Sequence, residues 1–235
     1  MVATSLDTHA VTSGPDRRRD GRTGRFASRA SLRTRGARRS DAAVGAATFS
    51  SELRFEDADY TLRQSSYVLS FGRRLGERTA VVVSGGLLAG GELEGEGRSY
   101  SVGAGWLASV TGAYRMLGGA DRQLFAVTTL SMGFSRARIE ATASSDESTL
   151  SASDLRVGAE VGVTLFERLR PFALARAFGG PVQFERDGET RIGSDQHHYA
   201  VGFGVGADAT GGLDLRFETS LLGERSFTWS GALAF

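Results

Sequence analysis

The feature that most constrains this chain is an alternation of apolar residues with small or polar ones. It is clearest over residues 100–114, where one face reads Tyr, Val, Ala, Trp, Ala, Val, Gly, Tyr and the other is mostly Ser, Gly, Thr and Ala. Similar registers recur over residues 154–165, 198–208 and 213–221. A period of two is typical of β-strands with one apolar and one polar face. No strand shows helical periodicity, so the alternation predicts an all-β fold.

Turn signals rich in Gly, Asp, Arg and Ser separate the alternating runs and predict a single domain over residues 46–235. We expect about ten antiparallel strands joined in an up-and-down order, or eight if the first two do not join. The predicted strands lie near residues 48–56, 59–72, 78–93, 98–115, 123–141, 149–166, 171–185, 197–208, 213–222 and 226–235.

Residues 1–45 are predicted to form a disordered, Arg-rich tail. Residues 1–40 contain ten arginines and three acidic residues, whereas the rest of the chain contains 18 arginines and 24 acidic residues. The tail has no periodic apolar face and almost no aromatic residues, a composition typical of disorder. Clustered arginines can bind phosphates, but without interleaved aromatic residues we expect no nucleic-acid binding. The apolar run at 42–47 is too short for a secretory signal peptide, which needs 7–15 such residues.

Composition excludes several other classes of protein. The chain contains no cysteine, which rules out disulfides, thiolate metal sites and a cysteine nucleophile. Its mean hydropathy is −0.17. The longest apolar stretches, such as residues 79–83 and 85–91, fall far short of the roughly 18 residues that a membrane helix requires. The sequence therefore does not predict a helical membrane protein.

Two barrel architectures fit the alternating strands. A soluble lipocalin-like barrel would pack its apolar face inward and bind an apolar ligand, whereas a transmembrane barrel turns that face toward lipid. The polar face consists mainly of Gly, Ser and Ala, which suits a confined interior better than a water-exposed surface. The two readings differ in where they place Trp106, Phe203 and Phe217: outside in a membrane barrel, and inside in a ligand-binding one.

Strand length and connections favour the membrane barrel. Several runs reach the roughly 9–11 residues that a tilted transmembrane strand needs. Compact connections at residues 73–77, 117–122, 167–170 and 209–212 alternate with more polar or longer ones, as in barrels with short periplasmic turns and longer extracellular loops. The sequence therefore predicts a single antiparallel transmembrane β-barrel.

The last strand, S-F-T-W-S-G-A-L-A-F, resembles the C-terminal β-signal of Gram-negative outer-membrane proteins. Ser230 stands where that signal usually has glycine, and Gly231 comes one residue late. Residues 48–235 as a whole resemble the small OmpA/OmpX-type outer-membrane barrel. The resemblance implies a monomer in the cell outer membrane that contacts outer-membrane lipid. It also implies recognition by the assembly machinery through the outward residues of the last strand, Phe227, Trp229, Leu233 and Phe235.

Charged residues on the predicted inward face form the candidate site. Unpaired charges in a confined interior are costly, so we expect an interior charge network that fills the barrel, with a narrow pore as the alternative. Its predicted members are Glu52, Arg54, Glu92, Arg156, Glu160, Asp214, Arg216 and Glu218. The predicted function is a structural, anchoring or narrow-pore role in the outer membrane.

We expect no enzymatic activity, cofactor or metal. Lipid A deacylases on small barrels use a His and a Ser two residues apart, but no serine follows His197 or His198 at that spacing. Proteases of the omptin type use Asp–His pairs, and Asp195 lies nearby, but those proteins are larger. Adjacent histidines on a strand point to opposite faces, which is poor geometry for binding a metal together.

Overall fold

The computed structural model describes residues 40–55, 58–95, 97–119, 122–141, 147–166, 168–186, 189–209 and 212–235. The strands are β1 (Ser40–Phe55), β2 (Ala58–Arg74), β3 (Thr79–Gly95), β4 (Arg98–Gly119), β5 (Arg122–Ala141), β6 (Glu147–Val163), β7 (Leu169–Gly179), β8 (Val182–Arg186), β9 (Glu189–Asp195), β10 (Tyr199–Asp208), β11 (Leu213–Gly223) and β12 (Arg225–Ala234). Within these residues, no helix is long and apolar enough to cross a membrane.

Ten antiparallel strands close into a single barrel. β1 to β7 pair in sequence order, β7 continues to β10, β11 and β12, and β12 pairs with β1. This last pairing runs from Asp41 opposite Ala234 to Ser50 opposite Arg225. The predicted all-β, ten-stranded, up-and-down barrel is confirmed. β1 begins at Ser40, so residues 40–45 belong to the barrel, and the rest of the predicted tail lies outside the described residues.

A hairpin of β8 and β9 reduces the barrel to eight strands at one end. The predicted strand 171–185 is interrupted at Gly180 and Pro181, between β7 and β8; a proline lacks the N–H that a continuous strand would use. β8 pairs with β6, and β9 pairs with β1. The segment 186–196, predicted as a loop, therefore contains a strand. We call the end that holds Ser40 and Phe235 the lower half, and the eight-stranded end the upper half.

In the lower half, large apolar side chains point outward. Trp106, Phe203 and Phe217 expose 48%, 55% and 48% of their surface, which is the outward placement that a membrane barrel requires. Small residues cover much of the opposite face; for example, the hydroxyls of Ser70 and Ser84 lie 2.8 Å apart inside the barrel. The lower half therefore has an apolar outside and a polar inside, the arrangement of an outer-membrane barrel.

In the upper half the two faces are exchanged. Leu53 and Phe55 of β1 are buried inside, whereas Glu52 and Arg54 between them are exposed. The interior here is one apolar cluster with edge-on aromatic contacts, such as the 5.7 Å between the ring centres of Tyr100 and Phe184. This half has the apolar interior and charged exterior of a barrel in water.

Two irregularities in the sheet help to produce the exchange. Gly90, at a φ of +99°, adds an unpaired residue to β3, so that odd-numbered residues point outward below it and even-numbered ones above it. In β4 the pairing shifts between Val102 and Gly105. Tyr100 and Val102 therefore lie inside, although the alternation had predicted them on the same face as Trp106.

Candidate functional site: the barrel interior

The interior of the lower half contains a buried group of ion pairs on three strands. The guanidinium of Arg216 on β11 donates to both carboxylate oxygens of Glu160 on β6, at 2.6 and 3.3 Å. It also donates to Glu218, at 3.0 Å. Glu218 in turn accepts two hydrogen bonds from Arg176 on β7, at 2.5 and 3.0 Å. Paired, two-point contacts of this kind are the strongest that arginine makes with carboxylates.

A second group lies next to it, nearer the lower end. Arg170 on β7 donates to Asp214 and, at 3.2 Å, to Asp208. The sequence had suggested an acid–base–acid ladder of Asp214, Arg216 and Glu218 along β11. The partner of Asp214 is instead Arg170 on another strand, and only Glu218 pairs with Arg216 within the ladder.

A third group lies at the junction of the two halves. Arg156 contacts Asp154 at 3.5 Å and Glu224, in the turn between β11 and β12, at 3.4 Å. Asp195, at the end of β9, accepts a hydrogen bond from the Ser51 hydroxyl. The β11–β12 hairpin thus ends under the eight-stranded part, with the Glu224 carboxylate buried beside Arg156.

Phenylalanines of β7 support two of the arginines. The guanidinium carbon of Arg216 lies 4.0 Å from the centre of the Phe172 ring, and that of Arg156 lies 4.4 Å from the centre of the Phe178 ring. A cation over an aromatic face is attracted by the negative potential of the ring. These stacks fix the planes of the guanidinium groups while their edges face the carboxylates.

Five residues of the predicted interior charge network lie inside and are buried: Arg156, Glu160, Asp214, Arg216 and Glu218. Three others, Glu52, Arg54 and Glu92, are exposed on the outside, so their predicted inward placement is wrong. All three belong to the upper half, where the apolar face is the inner one. The alternation correctly predicted that these three residues lie on the face opposite the apolar one. It did not predict that this face is the outer one in the upper half.

The exposed charges form their own contacts. The Nε of Arg54 donates to the Asp59 carboxylate at 2.9 Å, and this hydrogen bond lowers the pKa of Asp59 and raises that of Arg54. Glu52 lies 3.4 Å from the Nε2 of His197. Both pairs are on the surface of the upper half, where water weakens such interactions.

The sequence prediction missed several interior charges, above all Arg170 and Arg176. Both lie on β7, whose inward face also carries Phe172, Leu174 and Phe178. The outward residues from position 173 to position 177 are all alanines. Large apolar residues on the inward face concealed the orientation of the arginines. In the sequence, each of these arginines precedes a phenylalanine of the inward face by two residues. That spacing places the arginines on the same face as the phenylalanines.

The histidines do not form a common site. His197 is exposed beside Glu52, His198 is also exposed, and the Asp195 side chain points into the barrel. Among the described residues, no group of three or more His, Asp or Glu side chains is arranged to hold a metal ion.

The last strand closes the barrel wall. The Phe235 amide donates to the Ser40 carbonyl at 2.9 Å. The predicted signal residues share the outward face and are between 46% and 65% exposed: Phe227, Trp229, Leu233 and Phe235.

Buried side chains occupy the interior in both halves of the barrel. Above the ion pairs lies the apolar cluster of the upper half, and an apolar group around Phe125, Val127 and Phe172 lies in the lower half. A cavity of about 10 Å³ remains between Phe125, Phe172, Gly206 and the ion pairs. That volume holds roughly one water molecule.

No protein-family model and no curated protein sequence matches this chain. Solved structures with a similar fold include the translocator domain of the autotransporter NalP from Neisseria meningitidis, at 13% identity and a TM-score of 0.47, covering 84% of this chain and 88% of that one. The outer membrane protein OprG from Pseudomonas aeruginosa is similar at 8% identity and a TM-score of 0.45, covering 84% and 97%. The transport unit of the autotransporter AIDA-I from Escherichia coli has 10% identity and a TM-score of 0.45, covering 89% and 93%.

Proposed function

We propose that this outer-membrane β-barrel is a closed, non-conducting anchor that holds a rigid eight-stranded extension outside the membrane. The supporting observation is the filled interior: an apolar cluster closes the upper half, and ion pairs backed by Phe172 and Phe178 occupy the level below it. Ions would have to cross both layers. An interior occupied by the barrel's own side chains is a feature that it would share with small OmpA/OmpX-type proteins, whose barrels have eight strands.

Conductance in planar lipid bilayers tests this proposal. The folded wild-type barrel should insert without producing current steps, with insertion checked by heat-modifiable migration on a gel. A variant that thins both layers, Phe55→Ala and Phe184→Ala combined with Glu160→Ala and Arg216→Ala, should conduct. Replacing the outward Phe203 and Phe217 by alanine serves as the control and should leave the barrel silent. Regular current steps from the wild-type protein would instead support a narrow pore.

We also propose that the assembly machinery recognises the outward face of β12. The support is the row of exposed apolar side chains along β12 and at Phe235, interrupted at Gly231, and the position of β12 as the strand that closes the barrel against β1. Phe235→Ala should lower the amount inserted in cells more than the yield of refolding into detergent. Equal losses in the two settings would reduce Phe235 to a packing residue. Anchoring requires no catalytic step, and we propose no enzymatic activity for this barrel.

A further inference from the structure

Two arginines lie on the outer wall directly above the apolar belt. On β5 the outward residues Leu124, Leu130, Met132 and Phe134 are all exposed, and the next outward positions are Arg136 and Arg138. From Leu124 to Phe134 the strand advances ten residues, or roughly 25 Å along the membrane normal at a tilt near 40°. This is about the height of a barrel's apolar band. Arg136 and Arg138 therefore lie at the level of the lipid headgroups.

The strand register places no acidic residue directly opposite either arginine, and Glu140 shares their face two residues beyond Arg138. In the strand register, Arg136 lies between Trp106 and Ser151, and Arg138 lies opposite Thr149. The Trp106 ring packs on Phe134 at 5.3 Å between centres, at the level where tryptophan marks a membrane interface. Among the described residues, neither arginine forms an ion pair.

Two other outer-wall arginines of the upper half, Arg54 and Arg63, differ in this respect. Arg54 is paired with Asp59 at 2.9 Å, and Arg63 lies directly opposite Glu92 in the register. Each of these two arginines thus has an acidic residue directly opposite it on the neighbouring strand, whereas Arg136 and Arg138 have none. Arginine binds phosphate through two parallel hydrogen bonds, which favours it over lysine for this task.

We infer that Arg136 and Arg138, with Trp106 beside them, bind the phosphates of a phosphorylated glycolipid in the outer leaflet. The upper half then stands above the bilayer, and the glycolipid fixes its height and rotation relative to the headgroups. The inference rests on the membrane position of the apolar belt and not on whether the lumen conducts. A failure here would therefore leave the anchor proposal intact, and a conducting barrel would leave this one intact.

The test uses bisphosphorylated lipid A added to the folded barrel in detergent micelles. A Trp229→Phe background leaves Trp106 as the sole tryptophan, since the chain has only two, and its fluorescence reports binding. Arg136→Gln with Arg138→Gln should raise the half-saturating concentration at least about tenfold, and each single variant less. Arg54→Gln with Arg63→Gln removes the same charge and should change little. Gel migration verifies that every variant is folded.

Comparison probes identify the ligand chemistry. Dephosphorylated lipid A should bind the wild-type barrel as weakly as bisphosphorylated lipid A binds the double Arg136/Arg138 variant. Phosphatidylglycerol and inorganic phosphate should compete poorly, and added salt should weaken the binding. Equal losses in the two double variants would show an effect of net charge alone and overturn the proposal. Tight binding of phosphatidylglycerol or of dephosphorylated lipid A would overturn it as well.

Discussion

Arg216 is the residue on which the charge balance of the lower interior depends most. Among the described residues Glu160 has no other ion-pair partner, whereas Glu218 keeps Arg176 if Arg216 is lost. Removing one member of a buried pair leaves the other charge uncompensated. The position of Arg216 under Phe172 adds a packing loss to the electrostatic one.

We expect Arg216→Leu to lower the free energy of unfolding by about 3–5 kcal/mol. Replacing Glu160 by leucine in the same chain should recover most of this loss, because no unpaired carboxylate then remains. Urea unfolding in detergent micelles measures both variants. An unchanged midpoint for the single variant would mean that water solvates this level of the lumen.

Val157 tests the assignment of the lipid-facing side. It is 53% exposed on the outside of β6, between Leu130 and Ala177 of the neighbouring strands. Val157→Arg should cost about 2–4 kcal/mol, the range for arginine near the middle of the lipid face. Ser101→Arg is the control, because Ser101 is exposed in the upper half between Glu92 and Glu140. That variant should stay within about 0.5 kcal/mol of the wild type. Comparable stabilities for the two variants would contradict the assigned lipid face.

At the scale of single residues, alternation predicts which positions share a face but not the partner of each side chain. Arg216 and Glu160 are 56 residues apart, and their contact depends on how β6, β7, β10 and β11 align around the wall. Glu52 was placed inside because only the upper part of β1 was recognised as a strand. There, Leu53 and Phe55 alternate as lipid-facing residues would, although they form a core.

Among the elements, β3 depends on one glycine. Gly90 has a φ of +99°, and a Cβ there would lie 3.2 Å from the Val102 carbonyl oxygen. Gly90→Ala should therefore cost about 1–3 kcal/mol, the usual range for a strained backbone conformation. Gly112→Ala on β4 is the matched control, because its Cβ would meet only the Leu130 carbonyl, at 3.9 Å. Denaturation midpoints of the two variants give the comparison, and equal midpoints would show that the bulge tolerates a side chain.

Most strands were predictable because turn residues interrupt a long alternation, and their positions agree closely with the structure. β8 and β9 were not, because their pairing is non-local. β9 leads into β10, which lies between β7 and β11 in the wall below. β9 itself pairs with β1 above, through only Leu53 to Phe55. Nothing local in residues 189–195 indicates a partner more than 130 residues earlier in the chain. The change from ten to eight strands is therefore a property of the closed barrel.

Across the whole molecule, the same strands are adapted to lipid in the lower half and to water in the upper half. The lower half exposes apolar side chains and buries ion pairs, and the upper half does the reverse. The long strands β1 to β6 continue through both halves, whereas β7, β10, β11 and β12 are shorter. The exchange of faces fixes where lipid ends, and we expect the upper half, whose strands extend beyond the lipid, to be the extracellular one.

The absence of cysteine from the chain allows a direct test of this arrangement with single introduced thiols. Glu94→Cys, exposed in the upper half, should react with a membrane-impermeant maleimide on intact cells. Glu77→Cys, in the exposed turn between β2 and β3, should react only after the outer membrane is permeabilised. Val157→Cys should stay unreactive in the membrane, because lipid covers it, and Leu62→Cys because the apolar core does.

A control in urea shows whether the thiols at positions 157 and 62 are protected by the fold or are unable to react at all. After unfolding in urea, all four variants should react equally, which confirms that each thiol is present and reduced. Transfer of the folded barrel from lipid into a small detergent should expose Val157→Cys before Leu62→Cys, because detergent exchanges on the outer wall while the core stays packed. Labelling of Glu77→Cys rather than Glu94→Cys on intact cells would invert the orientation. Rapid labelling of Val157→Cys in the membrane would place the lower half in water and remove the physical basis for an outer-membrane barrel.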